Sequence, residues 1–434
     1  MKDLTRRGFL GLAGAAGVAA GLAACAGTGS APSASGGGGA AAGGPLQFWS
    51  NHPGTSKDTE AKLIEAFQKA NPGITVSLID GGKNYEEVAQ KFNASLAGGQ
   101  LPDVIVASDV TWFNFALNKQ LAPLDDLLAA AGLKTDDYVD ALYSDYKFNG
   151  KHYALPFARS TPLFYYNKAM WTAAGLPDRG PTTWDEFKEW APKLAAVAGA
   201  DKVALQLADG SNYLDWYFQN MAWSMGGQLS KEWTATASDP KTVAAGQFLQ
   251  DLAKNKWAKF SKSPDAEFSA GIAAACLQST GTLGGITKNA KFEFGTAFLP
   301  GDGACPTGGA GVAIPAGLSD ERKKNAVKFI EFLTNTESTV TFTQATGYMP
   351  VRKSAMDNAD EKAFLEKNPR AKVAVQQLSK TRSQDNARVL VPGGGARIGK
   401  ALDQIVQGGD VATVFAALDK ETQAAIDSQI KPKL

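Results

Sequence analysis

Leu101-Pro102-Asp103-Val104-Ile105-Val106-Ala107 is the stretch on which the fold turns. Four apolar residues in succession predict a strand buried on both faces, the setting of a parallel sheet covered by helices. Upstream, Pro45-Leu46-Gln47-Phe48-Trp49-Ser50 reads as a strand, and Ser56 opens a helix with Leu63, Ile64 and Phe67 on one face, ended by Asn71-Pro72-Gly73. Ile74 to Ile79 is a second strand, and Gly81-Gly82 turns into a helix that aligns Val88, Phe92 and Leu96. Strands alternating with helices indicate an α/β fold. Downstream, Thr183-Trp184-Asp185-Glu186 forms a capping box for a helix to about Val197. Residues 320–334 predict another helix, and 400–430 predict a helical stretch broken at Gly408-Gly409. From residue 45 on, about 390 residues with no long linker exceed what one hydrophobic core usually holds, roughly 300 residues. Two lobes joined by several short crossings satisfy both facts, and the crossings create a cleft suited to a small ligand.

The first 44 residues read differently. Thr5-Arg6-Arg7-Gly8-Phe9-Leu10 places a twin arginine before an uncharged, glycine-laden stretch, so residues 1–24 read as an export signal. Leu22-Ala23-Ala24-Cys25 resembles a bacterial lipobox, which makes Cys25 the lipidated anchor to the outer face of the cell membrane. Residues 25–44 then form a lipid-anchored tether whose positions 26–44 are Gly, Ala, Ser, Thr and Pro only, with a reach of roughly 25 Å.

The whole chain of 434 residues carries 44 Lys and Arg against 43 Asp and Glu. This near-balance lacks the basic footprint of a nucleic-acid binder. His52 and His152 are the only histidines and neither lies in a hydrolase or zinc motif, so the residues argue against an enzyme and against a metal or other cofactor. Asp125-Asp126 and Asp136-Asp137 read as acidic helix caps. Cys276 and Cys305 are a possible disulfide in an oxidising compartment. Tyr213, Trp216, Tyr217, Phe218 and Trp223 form a ring cluster that fits either a helix buried in the core or a wall against a sugar or quaternary ammonium. Pro392-Gly393-Gly394-Gly395-Ala396-Arg397 offers close backbone approach and a guanidinium fork for an anion, although a turn beside a surface arginine has the same sequence.

Leu155-Pro156-Phe157-Ala158-Arg159-Ser160-Thr161-Pro162 running into Tyr166-Asn167-Lys168, then Ala174-Gly175-Leu176-Pro177 and Thr183-Trp184, resembles the extracellular solute-binding proteins of carbohydrate ABC importers. Thr346-Gly347-Tyr348-Met349-Pro350, Glu366-Lys367-Asn368-Pro369 and the glycine run before Arg397 are similar to the branch that binds sn-glycerol-3-phosphate and glycerophosphodiesters, notably its actinobacterial members. The resemblance implies a two-lobed periplasmic-binding-protein fold of the maltose-binding type, an ABC permease as partner, and a monomer that captures glycerophosphocholine or sn-glycerol-3-phosphate. An oligosaccharide receptor is the alternative. The lobes implied are residues 45–153 with 292–338, and 154–291 with 339–434. The ligand set implied is Tyr85, Asp109, Ser160, Tyr213, Trp216, Ser279, Gly309, Tyr348 and Arg397, with Asp109 on glycerol hydroxyls, Tyr348 and Arg397 on phosphate, and rings 213 and 216 beside the head group.

Overall fold

The computed structural model describes residues 44–51, 56–302 and 304–434. The twin-arginine segment, Cys25, nearly all of the expected tether and His52 lie outside them.

Ten strands make two five-stranded sheets: β1 Leu46–Ser50, β2 Val76–Asp80, β3 Val104–Ser108, β4 Leu155–Ser160, β5 Pro162–Asn167, β6 Val203–Ala208, β7 Ala258–Ser261, β8 Ala273–Ser279, β9 Phe294–Ala297 and β10 Gly308–Ala313. The first sheet runs β2-β1-β3-β10-β4 and the second β7-β6-β8-β5-β9. In the first sheet β1 lies parallel to β2 and β3, while β10 runs antiparallel to β3 and β4. In the second, β6 is parallel to β7 and β8, while β5 is antiparallel to β8 and β9. β3, the strand expected from the 101–107 run, sits at the centre of its sheet with all five residues buried. It needs no polar alternation because helices and β-strand neighbours exclude water from both of its faces.

Sheet membership shifts the lobe boundaries from those expected. β4 belongs to the first sheet, so the first lobe extends to Ser160 and not to 153, and β9 belongs to the second sheet although it lies beyond 292. The reason is local. Thr161 alone separates β4 from β5, so the chain changes sheets within one extended segment. Residues 298–307 make the second crossing, from β9 to β10. A third follows Arg352, which still bridges Tyr138 of the first lobe, before the helix Pro369–Gln376 reaches the second sheet, where the Thr296 hydroxyl donates to the Arg370 carbonyl at 3.1 Å.

Each lobe closes its own core. Phe48, Phe67, Phe157 and Phe329 interlock edge to face in the first, and Phe164, Trp171, Trp184 and Phe187 do so in the second. Helices Asp320–Leu333, Trp184–Ala198 and Val411–Ala425 match the expected amphipathic segments. Thr183 caps the second of these through the Glu186 N–H, as its capping box requires.

Several sequence expectations are corrected here. Cys276 and Cys305 are both free and buried: Cys276 faces the Pro264 carbonyl in one apolar cluster and Cys305 sits in another. Burial raises both thiol pKa values, which keeps them protonated and unreactive. Asp125 starts its helix but binds the His152 backbone N–H and ring Nδ1 at 2.7 and 2.9 Å, while that ring stacks on Tyr143. Asp137 caps a helix distant in sequence, Lys353–Asp357, by accepting from the Ser354 N–H at 2.9 Å. Among the described residues no cluster of His, Cys, Asp and Glu has the makings of a metal site, and no helix is long and apolar enough to cross a membrane.

Candidate functional site

A cavity of about 720 Å3 opens between the lobes. Its walls come from the C-terminal ends of parallel strands in both sheets, where α/β folds concentrate ligand groups. Tyr85 follows β2 and begins the helix Tyr85–Gly98, capped by Asn84; Asp109 directly follows β3. From the other lobe, Tyr213 and Trp216 follow β6 at the start of the helix Leu214–Ser224, and Ser279 ends β8. Ser160 and Gly309 come from the crossing strands themselves, and Tyr348 follows the helix Thr336–Thr346. Gly347, at φ 92°, ends that helix in a left-handed turn and sends Tyr348 into the cavity. All eight of these positions line the cavity.

Hydroxyls gather at one end. Tyr85 and Tyr348 share a hydrogen bond, and burial pushes the Tyr348 phenol up to about 12, so both remain donors at neutral pH. Tyr348 lies over Gly281, where any Cβ would fall 2.6 Å from its ring. Ser279 caps that turn by accepting from the Gly281 N–H at 3.1 Å. Gly309, at φ 90°, has no room for a side chain, because a Cβ would stand 2.0 Å from the Ala158 carbonyl oxygen; its own carbonyl accepts from the Asp109 N–H at 2.9 Å.

The middle of the cavity is charged. Arg388, in the short helix Asn386–Val389, donates through Nη1 to Asp109 at 3.0 Å and through Nε to Asp215 at 2.7 Å. Gln384 reinforces the bridge, donating to the same Asp109 oxygen and accepting from Arg388 at 2.6 Å. The guanidinium therefore ties a carboxylate of the first lobe to one of the second, with all three side chains almost wholly shielded from water. Burial drives the Asp215 pKa upward, and Arg388 opposes it. None of the sequence motifs singles out Arg388, Asp215 or Gln384. Arg388 lies in the last turn of a four-residue helix, where a cation is ordinary, so the local sequence leaves no signal.

Arg397 is the one expected residue that the structure does not bring to this cavity. It lies in the helix Gly394–Val406, donates to the Pro392 carbonyl at 3.1 Å, and feels the charge of Glu421 on the helix Val411–Ala425. The glycine run has a packing task. A Cβ on Gly394 would sit 2.1 Å from the Ala387 carbonyl oxygen, and one on Gly395 would sit 2.9 Å from the Asp215 carboxylate. The bare backbone thus lets this helix press against the Arg388 turn from behind.

The ring cluster divides only in part. Tyr217 and Phe218 are wholly buried in the second core, Trp216 belongs to that core and also to the cavity wall, and Tyr213 lines the cavity with its ring centroid 6.4 Å from that of Trp216. Trp216 spends its N–H on the Thr307 carbonyl at 2.9 Å and covers Gly308, so its ring is held against a crossing strand.

Comparison with known proteins agrees with this arrangement. Residues 62–373 match the family model described as bacterial extracellular solute-binding protein. The chain is 29% identical over 357 residues to the sn-glycerol-3-phosphate-binding periplasmic protein UgpB of Escherichia coli K12, covering 77% of this chain and 80% of that one. The crystal structure of UgpB from Mycobacterium tuberculosis in complex with glycerophosphocholine superposes with a TM-score of 0.87 at 52% identity, over 89% of this chain and 99% of that one. Maltose-bound MalE3 of T. maritima shares the fold at a TM-score of 0.76 and 21% identity, over 88% and 99% of the two chains. With a family model spanning most of its length and a two-lobed fold whose strand ends converge on one inter-lobe cavity, the chain belongs to the bacterial extracellular solute-binding proteins.

Proposed function

We propose that the protein captures a glycerophosphodiester, with glycerophosphocholine as the reference ligand, and delivers it to the membrane permease of an ABC importer. The observation that carries this reading is the division of labour along the cavity. Tyr85, Ser160, Ser279 and Tyr348 present hydroxyl donors around one end, suited to a phosphodiester that carries a single negative charge. Asp109, held by Arg388 and Gln384, presents a carboxylate suited to accept from vicinal hydroxyls. Tyr213 and Trp216 supply faces for a head group. The mycobacterial structure solved with glycerophosphocholine supports the same ligand class. The arginine of the cavity is Arg388, and in place of the phosphate role expected of Arg397 it acts on the diol side through Asp109.

Hinge closure is the working step. Ligand contacts from both lobes favour the closed form, which the permease recognises. The receptor acts as a monomer without cofactor and performs no reaction, so incubation with glycerophosphocholine should release neither choline nor glycerol-3-phosphate; release would overturn that part of the reading. Lipidation of Cys25 after export would hold it on the outer face of the membrane, with residues 26–44 as the tether. Mass spectrometry of the N-terminal peptide should find a diacylglycerol adduct on Cys25, and an unmodified residue would refute the anchor.

Calorimetric titration of glycerophosphocholine, sn-glycerol-3-phosphate and maltotriose side by side tests the ligand class. Saturable one-to-one binding of the diester without measurable binding of the sugar is expected. Sugar binding without diester binding would give preference to an oligosaccharide receptor.

A further inference from the structure

Glu86 is, with Glu87, Asp109 and Asp265, one of the acids that line the cavity, and it differs from the two carboxylates at Arg388. Asp109 and Asp215 are each engaged by Arg388, but the Glu86 carboxylate has no ion pair or hydrogen bond to another side chain among the described residues. It projects into the cavity from the first turn of the helix Tyr85–Gly98, one residue after Tyr85. Consecutive helical residues point about 100° apart, so Tyr85 and Glu86 serve different parts of the cavity. Glu86 is near enough to Tyr213 for its charge to act on that phenol, and it also feels Asp215, Arg388 and Asp109.

The local charge count gives this placement a meaning. Glu86, Glu87, Asp109 and Asp265 line the cavity with Lys83, Lys262 and Arg388, and Asp215 backs Arg388, so five acids stand against three bases and negative charge is in excess. Lys83 and Lys262 also line the cavity, but neither pairs with Glu86. An unpaired carboxylate beside an aromatic face is a setting that welcomes a cation and penalises a dianion.

Resting on the glycerophosphodiester reading above, we infer that Glu86, with Tyr213 and Trp216, is the specificity element for the ligand's far end, selecting diesters with a cationic head group over neutral-headed diesters and over sn-glycerol-3-phosphate. The phosphate is held elsewhere, by hydroxyls that treat all diesters alike, so head-group choice falls to the group nearest the head.

The test is a calorimetric panel of glycerophosphocholine, glycerophosphoglycerol and sn-glycerol-3-phosphate on the wild type, Glu86→Gln and Glu86→Asp. Glu86→Gln should weaken glycerophosphocholine binding about tenfold, leave glycerophosphoglycerol within about twofold, and narrow the gap to sn-glycerol-3-phosphate. Glu86→Asp should recover part of the choline preference, because it keeps the charge. Unchanged glycerophosphocholine affinity in Glu86→Gln, or an equal loss for both diesters, would overturn the role of Glu86 while leaving the diester reading intact. A wild type that binds neither diester would overturn the diester reading itself, and the inference with it.

Discussion

Arg388 and Arg397 each follow an alanine, nine residues apart, and they meet opposite surroundings. Arg388 is almost fully buried between two carboxylates from different lobes. Arg397 lies outside the cavity, bonded to a carbonyl five residues back, with Nη1 lacking a hydrogen-bond partner among the described residues. A glycine run ahead of an arginine suggests an anion cradle, yet here it permits close packing of helix against turn. The residue that spans the cleft is carried by that packed turn. Glycines in such a site therefore mark where backbones meet, which is not always where the ligand sits.

The sharpest break of this comparison is Arg388→Ala. It would strand Asp109 and Asp215 as buried charges, a loss of about 3–5 kcal/mol for a severed buried pair. Glycerophosphocholine binding should fall by more than about a hundredfold in calorimetry, with a lower midpoint in thermal denaturation. Gly394→Ala comes next, because its new methyl has to displace the Ala387 carbonyl. A destabilisation of about 1–3 kcal/mol is expected from such overpacking. Chemical denaturation checks it, and stability within error of the wild type would mean that the glycine is not there for close approach. Asp109→Asn keeps the shape but weakens the diol contact and the bridge to Arg388, and should cost about 1.5–3 kcal/mol of affinity by titration. Arg397→Ala should be the mildest, with affinity within about twofold, since the side chain stands outside the cavity.

Much of the architecture is legible in the order of residues. The 101–107 run identifies β3 as a central strand because full burial leaves no polar alternation to keep. Capping boxes and amphipathic spacing locate the long helices because those signals are local. The lobe boundaries are less legible. β4 and β5 are separated by one residue in sequence but belong to different sheets, and only long-range pairing assigns them. In the cavity, Tyr85, Asp109, Ser279 and Tyr348 sit at strand or helix ends, and they are legible through the resemblance of their local motifs to the solute-binding family. Arg388 is hidden because its importance comes from Asp109 and Asp215, more than 170 residues away in the chain. No local pattern encodes a pairing across that distance.

The comparison extends to the two ring groups. Tyr217 and Phe218 belong to the core, Tyr213 belongs to the cavity and Trp216 belongs to both, although all four lie within six positions. Helical spacing alone does not separate them: Trp216 and Tyr217 lie three and four positions after Tyr213, and their own rings are 5.6 Å apart, so only the tertiary packing decides which ring meets the cavity. A cluster that reads in the sequence as either core or wall thus supplies both, with Trp216 joining the two.

One measurement bears most directly on the central claim, that a diester-binding cleft is bridged by Arg388. It is calorimetric titration of glycerophosphocholine into the wild type, Arg388→Ala and Arg397→Ala under one set of conditions. The account predicts saturable binding to the wild type, nearly the same affinity for Arg397→Ala, and loss of measurable binding for Arg388→Ala. Wild-type affinity in Arg388→Ala together with loss in Arg397→Ala would contradict it.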